Sequence, residues 1–188
     1  EVVDGGHPIG VTNSADGIDG SESAAEVKAW KNFAGNIGDA ELLAEVECFE
    51  ASVLVDKDLA AAKARYVRGR EAQARAARAG SDVKITCDRA EALFQASSGD
   101  SAGAIVAFER ILESYGSDPA MSVGTRIALL TDIGLLHYRT DNTAGALAAM
   151  ERSLRLLDEA GRGRSMTKVL TMVNMAAVLS RGGEVLAM

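Results

Sequence analysis

A chain of 188 residues that is 47% hydrophobic has enough apolar side chain for a real core, which excludes wholesale disorder. Only Pro8 and Pro119 interrupt a sequence rich in Ala, Leu, Arg, Glu and Met, so the expected class is all-α. A formal net charge of −7 with 4% aromatics argues against nucleic acid as a partner, because phosphate binding needs clustered cationic surface.

The charge is uneven: residues 1–60 carry 13 acidic and 3 basic side chains, residues 61–89 carry 3 acidic and 8 basic. No apolar run reaches the roughly 18 to 20 residues that a membrane-spanning helix needs, so no membrane contact is expected from this segment itself. The N-terminal EVVDGGHPIG lacks the basic start and apolar stretch of a signal peptide, and reads equally as a terminus left by cleavage or as a boundary within a longer chain.

Residues 1–21 contain Gly5, Gly6, Gly10, Gly17 and Gly20 and no apolar periodicity, which predicts a flexible lead-in ahead of a repeat domain over 22–188. Ser23 with Glu26 forms a capping box for a first helix, with Ala24, Val27, Trp30 and Phe33 as its stripe and an end near Gly35. Asp39 predicts the cap of a second helix over 40–55, where Leu42, Leu43, Val46, Phe49 and Val53 recur at helical spacing until Asp56-Lys57-Asp58. A third helix over 59–79 places Ala62, Tyr66 and Gly69 on one face and Lys63, Arg65, Arg68, Arg70, Arg75 and Arg78 mostly on the others.

Gly80-Ser81-Asp82 opens a fourth helix over 83–96, Ser97-Ser98-Gly99-Asp100 stops it, and a fifth follows over 102–114 with Ile105, Phe108, Ile111 and Leu112 inward. At Gly116-Ser117-Asp118-Pro119 the pattern predicts a left-handed glycine cap, an Asp cap and a proline in the first turn of a sixth helix over 120–139. Its wide stripe of Val123, Ile127, Leu130, Gly134 and His137 beside Leu129, Ile133 and Leu136 implies burial on more than one side. A seventh helix over 143–160 turns Leu147, Met150, Leu154 and Leu157 inward. An eighth over 165–181 is expected to end at Gly182-Gly183, with the start of a ninth at 184–188. These elements pair into hairpins at 40–79, 82–115 and 118–160, with an incomplete one at 163–188.

The breaks align with a fixed period. Ala62, Ala104 and Ala146 recur every 42 residues, each followed four residues later by Tyr66, Phe108 or Met150. Ala92, Gly134 and Ala176 keep the same interval, as do Gly99, Asp141 and Gly183 in the turns. Small residues thus fall where two helices must approach closely.

This small–turn–Ala-xxx-aromatic pattern resembles the tetratricopeptide repeat, with Gly134 at its small position, Ala146 at its alanine and Met150 in place of its aromatic. The first hairpin departs from it, since Glu50 occupies the small position. The family's unit is about 34 residues, so a 42-residue period implies lengthened helices, as in the extended repeats of bacterial signalling proteins. The likeness covers about residues 40–188. It implies an α-α superhelix of about eight to nine helices, whose second, fourth, sixth and eighth line a concave wall. It further implies a non-catalytic scaffold for a protein, peptide or small ligand, as the sensory or interaction region of a larger bacterial signalling protein such as a diguanylate cyclase.

In that frame the wall includes Glu47, Arg89, Thr131, Leu135, Tyr138, Arg139, Val173, Asn174, Ala177 and Arg181. Arg139 and Arg181, 42 residues apart, could fork onto a ligand carboxylate, or could simply complement helix C-termini. The family's chaperone-tail clamp is matched only by Asn174 and is not carried over. The basic third helix reads as a solvated face or as a docking strip for an acidic segment.

No metal, cofactor or catalytic cluster is expected: His7 lies in the lead-in and His137 reads as a packing histidine. Cys48 and Cys87 have no zinc-like spacing and read as small buried side chains, or, falling on neighbouring inner helices, as a disulfide in an oxidising compartment. The competing class is an oligomerisation module that self-associates through its terminal repeat, giving a homodimer.

Overall fold

The computed structural model describes residues 28, 29, 32, 33, 38–76 and 78–186, with side chains described to 181. The expected lead-in lies outside these residues. So does most of the first expected helix, of which Lys28, Ala29, Asn32 and Phe33 are helical. The described residues form seven helices and no strand: α1 (Ala40–Leu54), α2 (Leu59–Arg75), α3 (Ser81–Ser97), α4 (Ser101–Tyr115), α5 (Val123–Arg139), α6 (Thr143–Glu159) and α7 (Met166–Leu186). The class is all-α as expected; the count is seven among the described residues, in place of eight to nine.

Helix starts follow from side chains that accept the otherwise unpaired amide N–H groups of a first turn. Asp39 accepts from Glu41 and Leu42 at the head of α1. Asp58, Asp100 and Asn142 each accept from the amide three residues on, in Ala61, Gly103 and Gly145, at the heads of α2, α4 and α6. Those three caps are 42 residues apart, so the repeat extends to the capping chemistry.

α2 ends at Arg75 rather than at 79, because the Ala76 backbone turns extended. Two further expected boundaries are corrected. Gly116 has φ −57°, not left-handed, and α5 begins at Val123 with Ser122 as its cap. Asp118 accepts from the Ala120 amide in a tight turn, and Met121 at 1% exposure is driven into the core, so that turn is closed by packing before the helix starts. The second correction is at Gly182-Gly183, which lie inside α7. The position equivalent to the Asp58, Asp100 and Asn142 caps is Glu184, whose longer side chain is a poor N-cap, so nothing stops the helix there.

Packing proceeds by neighbours. The closest associations are α1 with α2, α5 with α6 and α3 with α4, joined by α1 against α3, α4 against α5 and α6 against α7. Ala62, Ala104 and Ala146 are each fully buried, and beside the latter two Phe108 and Met150 fill the inter-helix space. A β-carbon on Gly134 would stand 3.2 Å from Met150 Cγ, which explains the small residue. In the turns Gly99 and Asp141 have φ of +89° and +57°, a conformation that glycine adopts freely and Asp tolerates.

A disulfide links Cys48 of α1 to Cys87 of α3, with Cα atoms 5.0 Å apart. Both cysteines are fully buried among Ala44, Ala72 and Val83. Of the two readings of these cysteines, the structure holds the disulfide, in a buried setting.

Candidate functional site

Eight of the ten expected wall residues separate into three groups; of the other two, both on α7, Val173 is 58% exposed and Ala177 is half-buried. Glu47 and Arg89 are taken up in ion pairs between helices. Glu47, 2% exposed on α1, is held by Arg65 and Arg68 of α2. Arg89 of α3 donates from Nε and Nη2 to Oδ2 of Asp132 on α5, at 3.3 and 3.0 Å. Asp132 is buried, and that burial pushes its carboxyl pKa up while Arg89 pulls it back. A charged pair in such a place orders two helices more than it recruits a ligand.

Leu135 is buried at 8% exposure, Thr131 is half-buried with its hydroxyl donating to the Ile127 carbonyl, and Asn174 is half-buried on α7. These form the second group.

The third group is gathered at the C-terminal end of α5 and the facing stretch of α7. The Arg181 guanidinium lies 5.0 Å from the centroid of the Tyr138 ring. Its Nη2 is 2.7 Å from Oδ1 of Asp141, an exposed turn residue with a left-handed backbone. Tyr138 is partly buried against Ala146, Met150 and Val178, while Arg139 is exposed one residue further along. Arg139 and Arg181 therefore do not form the symmetric fork: Arg181 is drawn to Asp141 and the Tyr138 face, a cation–π contact worth about 0.5–1 kcal/mol at an exposed site. The patch combines an aromatic face, an exchangeable ion pair and an open arginine. No protein-family model, curated protein or solved structure matches the chain.

Sequence reasoning missed a network on α2 and α3. Arg70 Nε donates to the Tyr66 hydroxyl, and its other nitrogens donate to Gln73, Asp88 and Glu91. The Tyr66 hydroxyl donates in turn to Glu91, and its ring tilts against Phe94 at 5.4 Å. Burial opposes the charge on Arg70, but the hydrogen bonds to Tyr66 and Glu91 win and hold its pKa above the ordinary value. For Glu91 the same bonds outweigh burial and lower the carboxyl pKa. With Arg65 and Arg68 facing Glu47 and Glu50, much of the basic helix is engaged within the chain; Lys63 and Arg75 on it, and Arg78 in the turn beyond it, are exposed.

An open cleft of about 290 Å³ lies between α4, α5 and α6, floored by Leu112, Leu130 and Leu156 and edged by Arg126, Arg152 and Arg155. Arg126 donates to the Met121 carbonyl and Arg152 to both oxygens of Glu109, so two of the three arginines brace the helices. His137 Nδ1 lies 3.1 Å from Asn142 Nδ2 under the cap of α6, a packing position. Among the described residues no group of three His, Cys, Asp or Glu side chains is placed to hold a metal ion. No helix among them is long and apolar enough to cross a membrane.

Proposed function

We propose that the chain is a non-catalytic helical-repeat scaffold of the tetratricopeptide kind, with 42-residue units that continue as a right-handed superhelix and bind a protein or peptide partner. The observation that supports it most is the repetition of one hairpin interface. Ala62, Ala104 and Ala146 are fully buried in the same register, behind the same capped turn. Chains built from such a unit present extended surfaces rather than enclosed catalytic pockets. The patch of Tyr138, Arg139, Asp141 and Arg181 is the recognition element in this reading, suited to an acidic or carboxylate-bearing peptide that displaces Asp141 from Arg181. Service as the sensory or interaction region of a larger bacterial signalling protein fits the extended repeat.

Panning a displayed peptide library against the purified chain tests the reading. Selected peptides are expected to carry acidic residues, and Tyr138→Ala with Arg181→Ala should weaken them at least tenfold. Failure to enrich any peptide, or enrichment indifferent to both substitutions, would overturn it.

A further inference from the structure

The cleft between α4, α5 and α6 stands at a place that the preceding repeat fills with charge. Subtracting 42 from Leu112 and Leu130 of its floor gives Arg70 of α2 and Asp88 of α3. Those two side chains meet across the junction of their helices, Arg70 Nη2 lying 2.9 Å from Asp88 Oδ1, and further hydrogen bonds to Tyr66, Gln73 and Glu91 hold the guanidinium there. One repeat later both positions are leucine. Neither leucine can bridge to the other by a hydrogen bond, and a space of about 290 Å³ with an apolar floor is left between the helices.

The rim above that floor is cationic. Arg126 donates from Nε and Nη2 to the Met121 carbonyl, which fixes its guanidinium without neutralising it. Arg152 is balanced by Glu109. Arg155 is exposed and has no ion pair or hydrogen bond among the described residues. Against Arg126 and Arg155 the cleft carries one acid, Glu159, so the rim keeps an excess of positive charge over Leu112, Leu130 and Leu156.

We propose that this cleft is a binding site for a small anionic amphiphile, a carboxylate on a short hydrocarbon body. The body lies along the three leucines, where it leaves water, and the carboxylate pairs with the Arg155 guanidinium, a planar fork that is weakly hydrated and matches a carboxylate edge. Arg126 is the second, fixed cation. The volume is at the small end of ligand sites, roughly 300–1,000 Å³, and suits a narrow molecule rather than a folded segment. Its walls are internal helices, with α3 packed beyond α4 and α7 beyond α6. Tyr138, Arg139, Asp141 and Arg181 do not line it, so the site is separate from the peptide-binding patch.

Octanoate is the probe, titrated into the full 188-residue chain, isotopically labelled for amide NMR. Saturable shifts are expected at the amides of Leu112, Leu130 and Leu156. Octanol lacks the anionic head and butanoate lacks half of the body, and each should bind about tenfold or more weakly than octanoate. Arg155→Gln, at an exposed position that the fold does not depend on, should weaken octanoate by about tenfold and leave octanol unchanged. Leu112→Trp, which fills the cleft from a half-buried position, should abolish binding of both while the amide spectrum away from the cleft stays that of the parent.

Equal affinity for octanol and octanoate, shifts confined to helices outside the cleft, or octanoate binding indifferent to Arg155→Gln would overturn the proposal. So would sedimentation of the chain with phosphatidylglycerol vesicles, dependent on Arg155, in the absence of octanoate binding, because the rim would then serve a membrane surface and not a single molecule.

Discussion

Gly69 of α2 faces Cys48 so closely that a β-carbon there would come within 2.6 Å of the cysteine Sγ and 3.1 Å of its amide nitrogen. The sulfur is fixed in the bond to Cys87, so it cannot swing aside as a free side chain would. Gly69→Ala should cost about 1–3 kcal/mol, the usual penalty of overpacking. In a Cys48→Ala, Cys87→Ala background the penalty should shrink, which denaturant titration of the four proteins measures as a coupling. Gly134→Ala is the contrast: its neighbour is the flexible Met150, and added helix propensity offsets the contact, so that change should be close to neutral.

The disulfide closes a loop with a sequence separation of 39 residues. Chain-entropy reasoning gives such a cross-link about 4 kcal/mol of stabilisation. Thiol titration of the denatured chain without reductant should find no free thiol, and dithiothreitol should lower the unfolding midpoint markedly. Two titratable thiols would show that the cysteines are unpaired.

Arg89→Leu leaves the buried Asp132 carboxylate without its guanidinium partner. Breaking a buried pair costs about 3–5 kcal/mol, and the partial exposure of Arg89 argues for the lower end. The loss should depend on pH in a defined direction. Burial raises the Asp132 pKa in the folded state, so the protonated form is favoured there, and acidification through that raised value relieves the variant. The stability difference between variant and parent should therefore be largest near neutrality and narrow as pH falls. A difference constant with pH would show that Asp132 is not the group responsible.

Glu91 behaves in the opposite sense. Its folded-state pKa is depressed despite burial, through Tyr66 and Arg70, so its contribution is present above the ordinary carboxyl value and is lost as pH falls through the folded one. Glu91→Gln should destabilise by at most about 1 kcal/mol at pH 7, as befits a half-exposed pair, and by nothing measurable once both forms are neutral. Thermal unfolding across pH 2–7 provides the test.

What could be read from the chain depended on the range over which the signal acts. Helix starts were legible where Asp39 caps the very next turn, because that chemistry is local. The start of α5 was not, since Met121 is placed by burial in a core that its neighbours in sequence do not reveal. Gly182-Gly183 misled because glycine permits a stop without causing one; the missing cap at Glu184 was the stronger signal. The ion pairs Arg89–Asp132 and Arg152–Glu109 are each separated by 43 residues, one more than the repeat. A period of 42 matches equivalent positions, so partners one residue off it do not show as a repeat. At the candidate site the register placed Tyr138 and Arg181 on neighbouring helices, and missed Asp141 because a turn residue was read only for its backbone.

The covalent tie between α1 and α3 also gives the array a direction. Among the described residues, two hairpins at one end are closed into a unit that must open together; at the other, α7 is held by α6 and by Tyr138 of α5, with no covalent tie. Opening that begins wherever the least surface is lost will start at α7 and travel toward the cross-link. Amide hydrogens should then exchange in a gradient across the described helices, fastest in α7 and slowest around Cys48 and Cys87.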